Sequence, residues 1–184
     1  RIGSRRVYDF PELIRGHLMR TLSFWLANLI LVAFLSQTVL AQDNVMTNEE
    51  FGVSITGPEG WVSVEGNDRA IFNIKHEESQ SQIEVIATNL MSPDVASVFF
   101  DTFHNTLTQS SFTEISQEES VQGEHTGTMT SYSFEYAGVA LNVVIFQFTN
   151  ETTAFLVVGY VKADELENQV AAFNAVAASI SLTE

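Results

Sequence analysis

The chain has 184 residues, no cysteine and a formal net charge of −15, which excludes a disulfide framework, a thiolate metal site and a thiol nucleophile. Five of its eight basic residues (Arg1, Arg5, Arg6, Arg15 and Arg20) precede position 21. The part after Ala41 therefore sets 21 acids against Arg69, Lys75 and Lys162, a net charge of −18 that argues against nucleic acid as a partner. Anionic lipid would repel such a surface, whereas cations, cationic partners or simple solubility fit it.

Residues 19–41 have a short basic start, an apolar centre and small residues before a polar run, the three parts of a secretory signal peptide. Val39-Leu40-Ala41 fits the small-x-small rule, which places cleavage between Ala41 and Gln42. The chain opens on Arg1 and Met19 begins a segment of ordinary signal-peptide length, so Met19 is the expected start and residues 1–18 an upstream extension. Ser4-Arg5-Arg6 lacks the apolar run that a twin-arginine signal needs. An uncleaved anchor is the alternative, weakened by Asn28, Ser36, Gln37 and Thr38 inside the apolar stretch.

Residues 42–50 are polar and read as a flexible lead-in, with one domain over 51–184. Phe51, Val53 and Ile55 alternate with small or polar residues, predicting a strand that ends at Pro58-Glu59-Gly60. A second strand starts at Trp61, a third follows Gly66-Asn67-Asp68 over 70–75, and a fourth runs over 82–89 beyond an acidic tip. Ser92-Pro93 predicts a helix start, with Ser as cap, and Ala96, Phe99, Phe100, Phe103 and Leu107 share one face of that helix.

Residues 112–121 alternate weakly. A turn at 122–127 then precedes a clearer strand bearing Tyr132, Phe134 and Tyr136 on one side, closed by Ala137-Gly138. Residues 139–148 and 154–161 are apolar at odd and even positions alike, which predicts antiparallel neighbours covered on both faces. Asp164 and Glu167 predict a capping box, opening a last helix with a stripe of Leu166, Val170, Phe173, Ala177 and Ile180. The simplest architecture is α+β, a single antiparallel sheet packed by helices.

Phe51-Gly52-Val53-Ser54-Ile55 followed by Pro58-Glu59-Gly60-Trp61 resembles the opening strand and P-x-G-W turn of the PsbP-like fold family. That family includes the lumenal extrinsic protein of photosystem II, exported bacterial DcrB-type proteins and a Ran-GTPase-binding import factor. The resemblance spans residues 51–182 and implies an α/β/α sandwich with a binding or accessory role. The exported bacterial members fit best, and no shared set of functional residues carries over.

No G-x-S-x-G elbow, phosphate loop, dinucleotide-binding glycine motif, H-E-x-x-H helix or EF-hand loop occurs. His76-Glu77-Glu78, His104 and Glu124-His125 place imidazole beside carboxylate, the donor types of a zinc-like site, with no fixed spacing. Glu77, Glu78, Glu118, Glu119 and Glu124 would hold a hard cation if their loops converged. Trp61, Tyr132, Phe134 and Tyr136 would line an apolar groove if they shared a face, and ordinary core packing is the simpler account. Asn150-Glu151-Thr152 matches a glycosylation sequon and is read as accidental.

No catalytic, cofactor-binding or metal-ligating residue is assigned, and no cofactor is implied. The favoured reading is an exported, non-catalytic binding or accessory protein with an envelope protein as partner, no nucleic acid, and no membrane span after cleavage. The alternatives are a hydrolase whose site unites His104, His125 and nearby acids, and a metal-ion-binding protein using the acidic loops.

Overall fold

The computed structural model describes residues 44–65, 68–136 and 138–182. The expected signal peptide and its cleavage site, Gly66 and Asn67 of one turn, and Ala137 of another lie outside the described residues. The side chains of Pro93 and Tyr136 do so as well.

Among the described residues, ten strands and two α-helices follow one another as β1 (Asn44–Asn48), β2 (Val53–Gly57), β3 (Trp61–Ser63), β4 (Ala70–His76), β5 (Gln82–Asn89), α1 (Pro93–Gln109), β6 (Thr113–Gln122), β7 (His125–Tyr136), β8 (Val139–Thr149), β9 (Thr153–Lys162), a 3-10 turn (Ala163–Glu165), α2 (Leu166–Ala178) and β10 (Ser181–Leu182). The strands form two antiparallel sheets: seven strands in the order β3-β4-β5-β9-β8-β7-β6, and three in the order β1-β2-β10.

The single sheet expected from sequence is therefore two. Alternation in β2 marks a buried face but not a pairing partner, and the turn at Pro58 to Gly60 sends β3 into the larger sheet while β2 stays with β1 and β10. β1 occupies the stretch read as a flexible lead-in, pairing with β2 from Asn44↔Gly57 to Asn48↔Val53.

β9 lies at the centre of the large sheet, and every residue from Thr153 to Gly159 is buried. Its odd positions Phe155 and Val157 join Val144, Phe146 and Phe148 of β8 in a core closed by Phe173, Val176 and Ala177 of α2 and by Val53 and Ile55 of β2. Its even positions Leu156 and Val158 join Val143, Ile145 and Tyr132 in a second core closed by Phe99, Phe100, Phe103 and Leu107 of α1. The sheet is thus sandwiched between α1 on one face and α2 with the small sheet on the other.

Both helix starts differ in detail from the sequence expectation. Ser92 sits at the N-cap of α1 in extended conformation, but its side chain makes no capping bond. The 3-10 turn precedes α2, where Asp164 supplies no side-chain cap and the capping box is not formed. Packing holds these helices in place of caps, as is usual for helices whose stability comes from one buried face. At the far end of α2, the Ser179 hydroxyl donates to the Val176 carbonyl (2.8 Å) and accepts from the Thr56 amide (2.9 Å), tying the helix to β2.

Gly159 is where α2 meets β9. A Cβ placed there would lie 2.8 Å from the Phe173 ring, so the bare backbone is what lets the helix lie this close. Phe173→Ala should destabilise the fold by about 3–5 kcal/mol, and Gly159→Ala by about 1–3 kcal/mol, in urea unfolding. Combined, they should cost less than the sum, because truncating the ring frees the space that the new methyl needs.

Candidate functional site

Each described histidine stands at the end or on the face of an element and is held there by hydrogen bonds. His76, the last residue of β4, uses Nδ1 to accept the Ser79 amide (3.1 Å) and contacts the Ser79 hydroxyl (3.0 Å). Its ring tilts against Trp61 with centroids 5.6 Å apart, fixing the turn into β5. His125 opens β7, bonds through Nε2 to the Ile180 carbonyl (2.9 Å), and stacks on Phe148 at 4.3 Å.

His104 lies on α1 between Nδ1···Tyr132 hydroxyl (2.6 Å) and Nε2···Gln147 Oε1 (2.6 Å). The Tyr132 hydroxyl in turn reaches Glu114 Oε2 at 3.3 Å. This chain joins α1 to three adjacent strands, β6, β7 and β8. Its partners are 28 and 43 positions from His104, so no local pattern signals them.

The described histidines do not assemble one site. His125 stacks on Phe148, in the core on the α2 face, whereas His104 bonds Tyr132, in the core on the α1 face. A pairing of His104 with His125 would need one of them to cross the sheet. The proposed aromatic groove fails for the same reason, since Trp61 and Tyr132 belong to the two opposite cores. Phe134 stacks on Phe112 with centroids 4.7 Å apart.

The acidic loops do not converge. Glu77 and Glu78 follow β4, second in the sheet order, while Glu118 and Glu119 lie on β6, the seventh. Five strand spacings put these groups about 24 Å apart. Among the described residues no group of three or more His, Asp or Glu is placed to hold a metal ion.

One buried polar group was not foreseen. Glu84, 3% exposed in the middle of apolar β5, accepts from Arg69 Nη2 at 2.9 Å and from Gln82 Nε2 at 3.1 Å. Arg69 also donates to the Tyr160 hydroxyl (3.1 Å), and its guanidinium lies 5.7 Å from the Phe103 ring centroid. Gln82 bonds Asn73 on β4 as well (2.9 Å). A carboxylate buried in a strand needs such partners, so Ile83-Glu84-Val85 was itself the sequence signal. The group ties β4, β5, β9 and α1 together.

Among the described residues, clefts of about 410–420 Å³ open between β1 and β4, at the start of α1 beside Met91 and Asn150, and beside Val139 and Lys162. None of these clefts is lined by a histidine.

Burial, then the neighbouring Glu114, pushes the Tyr132 phenol up to about 12. Burial and Glu84 do the same for Tyr160, with Arg69 opposing, also to about 12. Both phenols are therefore harder to ionise folded than unfolded. They contribute stability that is complete below about pH 10, the ordinary tyrosine value, and is lost as pH rises towards about 12. Tyrosinate absorbance should show two late-titrating phenols in the folded protein, each removed by its own Tyr→Phe substitution.

No protein-family model and no curated protein matches the chain. Solved structures do. A crystal structure from Bacteroides thetaiotaomicron is 14% identical with a TM-score of 0.58, over 78% of this chain and 49% of that one, so this chain spans about half of that protein's length. The solution structure of cyanobacterial PsbP (CyanoP) from Synechocystis is 14% identical, TM-score 0.56, over 80% of this chain and 98% of that one. LpqN, involved in cell envelope biogenesis of Mycobacterium tuberculosis, is 12% identical, TM-score 0.51, over 72% and 83% of the two chains. At these identities the likeness concerns the fold alone, and the fold is PsbP-like.

Proposed function

We propose that the chain is an exported accessory protein of the cell envelope, of the DcrB-type branch of the PsbP-like fold, acting by binding another envelope protein and not by catalysis. In this reading residues 1–18 are an upstream extension, 19–41 a cleaved signal peptide, and the rest one exported domain.

The observation that carries it is how the described chemistry-bearing side chains are used. His76, His104, His125 and the Arg69–Glu84 pair each hold neighbouring elements together, and the sheet separates His104 from His125. LpqN, with a similar fold, offers envelope biogenesis as a precedent. The charge of −18 beyond Ala41 favours a protein partner over nucleic acid or anionic lipid. No described helix is long and apolar enough to cross a membrane.

Mild cross-linking in the native envelope should trap one specific protein partner, and recovery of the protein alone would count against the proposal. N-terminal sequencing of the protein recovered there should begin at Gln42. Millimolar calcium or zinc should leave its melting temperature unchanged, and a clear rise would favour ion binding instead.

A further inference from the structure

The two edges of the seven-stranded sheet are built differently. β3 has three residues, too few to template another strand. β6 has ten, none of them buried, and pairs with β7 on one side while no described strand pairs with the other. About half of its residues therefore direct backbone amides and carbonyls outward.

Natural edges are commonly blunted by proline, lysine, bulges or shortness. β6 holds no proline or lysine, and its one irregularity lies between Glu114 and Ser116, leaving Ser116 to Gln122 in unbroken register with β7. Glu118 and Glu119 project to opposite faces near its centre, Glu114 stands near its start, and Glu124 follows in the turn, all exposed. The described bases, Arg69, Lys75 and Lys162, lie on neither β6 nor β7. Ile115 and Val121, 60% and 65% exposed, offer apolar contacts near the two ends.

We propose that β6 is a docking edge for an extended, lysine- or arginine-bearing segment of a partner protein, which joins the large sheet as an eighth strand. This deepens the accessory role and rests on it for the partner's existence. Backbone pairing supplies the affinity, and glutamates on both faces select the sign of the incoming charge. A second copy of the chain is a poor occupant. A symmetric antiparallel β6 pair centred on the strand would crowd the Glu118 and Glu119 carboxylates of both copies together.

The probe is a ten-residue peptide alternating lysine with valine and threonine, beside a twin with glutamate in place of lysine. The lysine peptide should slow hydrogen exchange of β6 amides in the purified protein and leave β1 and β3 unchanged, and the glutamate twin should do nothing. Glu118→Lys with Glu119→Lys should weaken the lysine peptide at least tenfold and admit the twin. Successive amides along a strand alternate in direction, so one of the single variants Glu118→Pro and Glu119→Pro should keep the wild-type melting temperature and still lose the peptide.

Protection outside β6, equal binding of both peptides, an unaffected charge-reversed variant, or a dimer through β6 in sedimentation would each overturn the proposal. A cross-linked partner retained by the charge-reversed variant sinks the edge and leaves the accessory role standing. Peptide binding at β6 with no partner in the envelope sinks the accessory role alone.

Discussion

Strands β8 and β9 are apolar at odd and even positions alike, and almost everything else in the molecule answers to that. A strand with two dry faces must be central, and both faces of its sheet must be covered. α1 closes one side, and α2 with the small sheet closes the other. The contact between Phe173 and the bare backbone at Gly159 sets how near α2 can lie. Strands farther from β9 are progressively wetter, until β6 has no buried residue at all.

The same two-sidedness governs the polar groups. A sheet packed on both faces is a barrier that side chains cannot cross, so residues read together in sequence are sorted by the parity of their strand position. Trp61 and Tyr132 are both core residues, yet they never share a surface. His104, on α1, and His125, on β7, likewise face opposite sides of the sheet and serve as cross-braces. His104 fastens α1 to the sheet, and His125 fastens the β6–β7 turn to the segment after α2.

What could be read from the sequence follows from range. The double apolarity of β8 and β9, the apolar stripe of α1 and the order of elements from β2 to α2 depend on neighbours a few positions apart, and they stand as expected. β1 and β10 carry no periodicity of their own, because polar Asn44–Asn48 and the two-residue Ser181–Leu182 become strands only by pairing with β2. Missing them turned two sheets into one. Ser92 was correctly placed at a helix start, but whether its hydroxyl bonds depends on a rotamer that composition does not determine. The partners of His104 and Arg69 lie on distant strands and were beyond any local pattern, although an isolated Glu84 in an apolar run announced that some partner was required.

The place of β9 also sets an order of events. Ile83 pairs with Gly159, 76 positions later, so the inner edge of β5 has no partner until the last quarter of the chain exists. Before then the first five strands and α1 can form only local contacts, with Ile83 and Val85 uncovered. Topologies closed by such distant pairings fold slowly. Under the proposed export through a membrane channel, which needs an unfolded chain, this lateness becomes an asset. The segment that completes the core is synthesised after the strands it covers, and in that proposal it crosses after them.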